Sequence, residues 1–409
     1  MHTNYLLFDP KEQRQNLLPF TFTRPVGNLR IGILTINEKW GKYLPDCPIG
    51  FKTAPYLSEK FQGNFSTNSI LINGSICPNP ALIEEIKKLK SPGDALVWGN
   101  QLVAVYLEPA QIENFEENIS QFRCIETSST DILQINYSYD LFSKNGEALQ
   151  KDFDLITKGR KSQPIPEGNQ FVSGDNIFIE EGAKVQFSIL NASTGPIYIG
   201  KNAEIMEGCK IRGPFAMCED SGLKMDAKIY GATTLGPHCK VGGEVNNVIF
   251  YAYSNKGHDG FVGNAVIGEW VNMGADTNNS NLKNTYDEVK LWSYTKERFE
   301  KTGLTFCGLM MADHAKCGIN TMFNTGTVVG VGANIFGAGF PRNFIPSFSW
   351  GGAQGFDTFA LNKFYKTAEA MCKRRNLAFT DVDKEIYKTI FEQSKKYRFW
   401  ETQVNDNNK

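Results

Sequence analysis

Histidine is the scarcest chemically useful residue in this chain, four among 409 residues, and that scarcity makes the position of each one informative. The nine cysteines are odd in number and never stand as Cys-x-x-Cys, which argues against a disulfide framework and against a zinc site. They read as reduced thiols, and the expected compartment is the cytoplasm. Long runs of Lys or Arg are missing too. With 43 basic and 44 acidic side chains the formal charge is −1, so neither nucleic acid nor an anionic membrane is an expected partner. No apolar run approaches the length of a membrane span, and MHTNYLLFDP has neither a basic start nor an apolar stretch, so no signal peptide is expected.

What is present falls into three zones. Residues 1–165 read as an α/β mixture. NYLLFD and SILINGS are short strands, and PNPALIEEIKKLK is an amphipathic helix entered through proline. ALVWGNQLVAVYL is a hairpin turning at Gly99-Asn100. YDLFSKNGEALQKDFDLI is a helix, and the polar KGRKSQPIPEG reads as a boundary. Residues 166–340 hold roughly 25 of the 38 glycines, and helical periodicity disappears there. Residues 341–409 return to helix, with Thr380 and Asp383 at capping-box spacing.

In the glycine-rich zone apolar residues recur every six positions. Ile199, Ile205 and Ile211 form one ladder; Ile229, Leu235 and Val241 form another. Ile267 and Met273 are a shorter one, and Cys317, Phe323, Val329 and Ile335 are the clearest. Such a period marks a hexapeptide β-helix, in which each strand turns one apolar side chain into a narrow core and Gly or Asn takes the tight corner. His258 sits in a Gly-rich loop of this rod, in SNKGHDGFVGNAVIGEWVNMGADTNNSN. A side chain that titrates near neutrality suits a general base that takes a proton from an amine.

The stretches GGEVNNVIFYAYSNKGHDGFVGNAVIGEWVNMGADTNNSNLKN and GLMMADHAKCGINTMFNTGTVVGVG resemble the acetyltransferase half of the bifunctional UDP-N-acetylglucosamine pyrophosphorylase/glucosamine-1-phosphate N-acetyltransferase family. The resemblance covers most of residues 225–335. It implies a nucleotidyltransferase-like domain followed by a left-handed parallel β-helix and C-terminal helices, assembled as a homotrimer. The implied reaction is acetylation of an amino-sugar phosphate, most simply glucosamine 1-phosphate, by acetyl-CoA. By the same resemblance His258 is the base, Glu244 contacts the sugar and steadies the base region, and Asn272 and Asn281 line the sugar and acetyl pocket. Lys228 is near the phosphate. Tyr230 stands where an arginine is expected, Asn246 where many members have lysine, and Phe261 where many have tyrosine. Gly318, Asn320, Thr325 and Arg342 are the expected CoA contacts.

Other residues invite plainer readings. Corner asparagines are common in a β-helix, so Asn278 and Asn279 read as structural. His314 reads as a turn residue, His238 as a corner residue that makes no metal site with Cys239, and His2 as a solvated terminal side chain.

NLLPFTFTRPVGNLRIGILTI and ILINGSICPNP are similar to sugar nucleotidyltransferases. Those enzymes cradle a triphosphate with a Gly-rich loop ending in Thr-Arg and hold Mg²⁺ on an aspartate after a strand. Here Thr23-Arg24 is present, but Phe20-Thr21-Phe22 occupies the glycine positions and Asn73-Gly74-Ser75 the aspartate position. Thr23, Arg24, Arg30, Asn73 and Gly74 are the nucleotide-site candidates, and Mg²⁺ is expected only if this domain is active. A nucleoside triphosphate or nucleotide sugar is then a further ligand. Two alternatives to acetyl transfer stand beside it: sugar-1-phosphate nucleotidyl transfer by the first zone, and a non-catalytic nucleotide-sugar-binding scaffold.

Overall fold

The computed structural model describes residues 4–401, so His2 lies outside the described residues. The chain forms two compact units. Among the described residues the first contains 4–17, Thr23–Leu29 and Leu34–Tyr137, and the second Leu18–Phe22, Arg30–Ile33 and 138–401.

The first unit is built on a mixed sheet of β1 (Asn4–Phe8), β2 (Ile49–Lys52), β3 (Ser69–Asn73), β4 (Asp94–Trp98), β5 (Gln101–Leu107) and β6 (Arg123–Glu126). The spatial order is β2-β1-β3-β5-β4-β6. β1 lies parallel to β2 and β3, while β5 runs antiparallel to β3 and β4. The expected hairpin is present: Gly99 turns it in the left-handed region, at φ +57°, where a Cβ would be strained. Strand β3 is buried along its whole length, as its unbroken apolar run demands, and Trp40 is sealed beside it by an indole bond to the Ile76 carbonyl, 2.9 Å. The proline-led helix spans Pro80–Ile86, and the Asn79 side chain caps it by accepting from Leu82 N at 2.9 Å.

The second unit is a left-handed parallel β-helix of about ten turns carrying C-terminal helices. Its strands are two or three residues long over most of the rod, each stacked in register on the strand one coil below. All four six-residue ladders lie in one buried core, from Ile177 through Ile345. Corners are taken by residues with positive φ, including His238, Tyr253, Trp270 and His314 at +57° to +59°. These four rings stack up one corner, with centroids 4.8 Å apart for His238–Tyr253, 4.3 Å for Tyr253–Trp270 and 6.0 Å for Trp270–His314. His238 and His314 are thus parts of an aromatic column, and His314 is further enclosed by Phe364 and Tyr387 of the tail.

Helix Asn145–Thr157 belongs to this unit. Asn145 at its start donates to the Ala232 carbonyl at 2.9 Å and accepts from Gly32 N at 2.8 Å. In the tail, helices Leu361–Lys373 and Asp381–Gln393 bury Phe364, Ala368, Cys372, Ile386, Tyr387 and Ile390. The capping box forms as spaced, with Asp383 N donating to Thr380 Oγ1 (3.2 Å) and Thr380 N to Asp383 Oδ2 (2.8 Å). A hairpin the sequence pattern did not reveal, Lys290–Ser293 with Arg298–Lys301, projects between coils. Among the described residues no helix is long and apolar enough to cross a membrane.

Candidate functional site

His258 follows the two-residue strand Asn255–Lys256, where the chain turns from one face of the rod to the next. Glycine makes this corner possible. Gly260, at φ +111°, has no room for a Cβ, which would lie 2.2 Å from the Thr277 carbonyl oxygen. The result is an exposed imidazole on bare backbone. It lines an open groove of about 710 Å³ with Met206, Lys224, Met225, Asp259 and Asp276, floored by Gly242, Gly243 and Gly257. Among the described residues the ring has no hydrogen bond or ion pair to the protein.

Past this corner the expected acceptor residues stand on neighbouring strands. Lys228, Glu244 and Phe261 are in register on successive coils, as are Tyr230, Asn246 and Gly263. The inward partners Ile229, Val245 and Val262 are buried, so the other two columns face outward by strand alternation. The Tyr230 hydroxyl donates to Glu244 Oε1 at 2.5 Å. Burial pushes the phenol up to about 12, and the Glu244 bond adds to it, so Tyr230 stays protonated and Glu244 an acceptor. Where the resemblance places an arginine, this chain therefore has a neutral donor already committed to a carboxylate. Phe261 folds over Gly263, where a Cβ would lie 2.5 Å from the ring.

The asparagine run divides in two. Asn279 is buried, accepting from Gly263 N (2.9 Å) and donating to Gly263 O (3.0 Å), while Asn278 accepts from Phe261 N (2.8 Å). Both replace missing strand pairing and are structural. Asn281 reaches the same strand, donating to Asn264 Oδ1 at 2.8 Å. Asn272 is elsewhere: it is exposed beside Asn255 in a separate cavity of about 570 Å³ with Trp270, Lys240 and Lys316.

The expected CoA contacts also separate. Thr325 and Arg342 line one cavity of about 720 Å³ with Lys283, Lys290 and the aromatic rings of Trp292, Phe299, Phe344 and Phe399. Trp292 and Phe344 stack at 4.2 Å, and the Arg342 guanidinium lies 4.9 Å over the Phe399 ring. Gly318 and Asn320 do not line this cavity. Asn320 is a corner at φ +58° whose backbone N donates to the Ala275 carbonyl at 2.8 Å.

In the first unit Thr23 and Arg24 are buried. Asn73 ends β3 as a turn, accepting from Ser75 N (3.0 Å) and Ser75 Oγ (2.7 Å) and donating to the Leu102 carbonyl (3.0 Å). Gly74 is required by close packing, since a Cβ would lie 2.9 Å from the Phe8 carbonyl oxygen. At the carboxyl end of β1, buried Asp9 pairs with Arg14 (2.7 Å) and accepts from Thr53 Oγ1 (2.5 Å) and Val26 N (2.7 Å). The second unit holds Phe20, Phe22 and Arg30. Phe20 packs against Tyr251 (6.0 Å) and Phe22 against Tyr294 (5.6 Å), which explains aromatics where a phosphate loop would carry glycine. Arg30 donates to the Ile33 carbonyl and approaches Cys218 Sγ at 3.7 Å.

Mg²⁺ does not fit the first unit as the nucleotidyltransferase pattern would place it. Ser75, at the aspartate position, is fully buried and bonded to Asn73 and to Gln134 (3.1 Å), and Asp9 is committed to Arg14. Among the described residues no group of three or more His, Cys, Asp or Glu side chains is placed to hold a metal.

Residues 5–161 match the family model described as sugar nucleotidyl transferase. A search of curated proteins gave no match to the chain. A segment similar to sugar nucleotidyltransferases is therefore followed by a β-helix, an order of parts that fits nucleotidyltransferase/hexapeptide-repeat proteins. Sequence reasoning missed Lys224, Met225, Asp259 and Asp276 as groove residues, and Lys256 beneath them. The six-residue rhythm gave no sign of Lys256, because Asn247, six beyond Val241, is a corner at φ +59°.

Proposed function

We propose that the chain is an acetyl-CoA-dependent N-acetyltransferase acting on an amino-sugar phosphate, most simply glucosamine 1-phosphate, with His258 as general base. The observation that carries this reading is an exposed imidazole, with no protein partner among the described residues, on the wall of an open groove. His258 takes the proton from the substrate nitrogen as it attacks the thioester, and the thiol of CoA leaves. Glu244 and Tyr230 act as a fixed acceptor–donor pair for sugar hydroxyls; Lys228 and Lys224 supply positive charge for the phosphate, and Asn246, Phe261 and Asn281 complete the wall. The nucleotide end of CoA suits the Trp292–Arg342 cavity, which offers stacking faces and three cations, Lys283, Lys290 and Arg342. Asn272, Gly318 and Asn320 then act from a neighbouring rod of a homotrimer, and CoA lies between rods. The proposed compartment is the cytoplasm.

Thiol release from acetyl-CoA with glucosamine 1-phosphate tests this. The wild type should turn over and His258→Ala should lose about 10²–10⁴ of its rate, the range expected for a general base. Equal rates would remove His258 from the chemistry.

The family match favours a second reading, sugar-1-phosphate nucleotidyl transfer by the first unit, and the poor fit of Ser75 and Asp9 to Mg²⁺ counts against it. Pyrophosphate release from UTP and N-acetylglucosamine 1-phosphate checks it, with Arg24→Ala as the loss-of-function variant. Ligand binding without turnover of either donor would instead support a scaffold.

A further inference from the structure

One inward column of the β-helix carries a charge. Val185, Ile205, Leu223 and Val241 register on successive strands, and farther along Met273, Cys317 and Ile335 do the same, all within the buried core. Between these runs the residue opposite Val241 is Lys256, 1% exposed. Burying an ammonium in an apolar column is costly unless hydrogen-bond acceptors and opposite charge compensate it.

The ammonium is held where it can act on the corner. Lys256 Nζ donates to the His258 carbonyl at 2.8 Å and to the Gly242 carbonyl at 3.1 Å. Two carboxylates that line the groove, Asp259 and Asp276, favour its charged form. Desolvation acts against them and lowers the pKa to about 8. Gly243 completes the seat: a Cβ there would lie 2.9 Å from Nζ, and its φ of +73° suits glycine alone. One side chain therefore rises from the core and ties the corner that carries the imidazole to the coil beneath.

We propose that Lys256 is a positioning residue for His258, its ammonium clamping the His258 carbonyl so that the exposed ring keeps its place on the groove wall. The kinetic consequence rests on the acetyl-transfer reading; the structural one does not. An exposed corner built on glycines has few contacts of its own to fix a ring, and a displacement of about 1 Å at a reacting centre can cost about 100-fold in rate.

Lys256→Met in the full chain tests this by two readouts. Hydrogen exchange followed by mass spectrometry should show the amides of Gly242, Glu244 and Asp276, which donate to the Lys256, Gly260 and Asp259 carbonyls of this corner, exchanging about tenfold faster, with the rest of the rod unchanged, because one local tie is lost. Acetyl transfer should lose about 100-fold in kcat while KM for acetyl-CoA stays within about twofold. Ile335→Ala, farther along the same column, should lower Tm yet keep kcat, separating loss of core packing from loss of the clamp. If Lys256→Met does not fold, Lys256→Gln, whose shorter amide falls short of the carbonyl, carries the same expectations. Unchanged exchange at Gly242, Glu244 and Asp276, or an unchanged kcat in an active enzyme, overturns the proposal. If the wild type shows no acetyl transfer, the functional reading fails and the exchange measurement alone decides the clamp.

Discussion

Asp9 and His258 both stand at chain reversals where ligands commonly bind, one at the carboxyl end of a parallel strand and the other at a β-helix corner. Their surroundings differ completely. Asp9 is buried and satisfied by Arg14, Thr53 and the Val26 amide, whereas His258 is exposed with no protein partner among the described residues. A polar group whose bonding capacity the fold has consumed is framework. One held on rigid backbone with that capacity unspent is available to a substrate. On this ground we assign the proposed acetyl transfer to the second unit.

The largest effects should separate the two residues. His258→Ala should cost about 10²–10⁴ in acetyl-transfer rate with no loss of Tm. Asp9→Ala should do the reverse, taking the carboxylate from Arg14 and the acceptor from Thr53 and the Val26 amide and lowering the stability of the first unit by about 3–5 kcal/mol in denaturant melts, with acetyl transfer unaltered. Parallel behaviour of the two variants would break the comparison.

Lys256 sharpens it through pH. Its folded pKa of about 8 lies below the ordinary 10.5, so between those values the folded state binds fewer protons than the unfolded one. Stability attributable to this lysine therefore rises with pH across that window. The stability of wild type relative to Lys256→Met should rise by roughly 3 kcal/mol at most between pH 7.5 and 10.5, as read from paired thermal melts. Lys316, also lowered to about 8 by burial, is unaltered in both proteins and cancels. A difference independent of pH would show that the ammonium is not desolvated.

The smallest effect concerns the acceptor wall. Tyr230→Phe removes the donor to Glu244 and should raise KM for the sugar phosphate about fivefold with kcat nearly constant, the value of one hydrogen bond. A fall in kcat instead would give the phenol a part in the chemistry.

How legible all this was depended on how local the cause is. The ladders Ile199–Ile205–Ile211 and Cys317–Phe323–Val329–Ile335 could be read because coil geometry repeats along the chain, and their members are core residues. The capping box at Thr380 and the hairpin turn at Gly99 are likewise set by neighbours in sequence. Lys256 was hidden because its column is assembled from coils of unequal length, and its meaning lies in a carbonyl that only the folded corner brings near. The Asp9–Arg14–Thr53 cluster was hidden for a similar reason, since Thr53 arrives from a different strand. Asn279 and Asn281 look alike in sequence, yet one replaces ladder bonds on Gly263 and the other reaches Asn264.

What His258 meets when ligands bind decides whether it is the base. A crystal structure of the complex with CoA and glucosamine 1-phosphate examines that directly. The predicted result is the sugar nitrogen within about 2.6–3.2 Å of a His258 ring nitrogen, with the adenine end of CoA beside Trp292 and Arg342. Both ligands bound away from the His258 groove would contradict it.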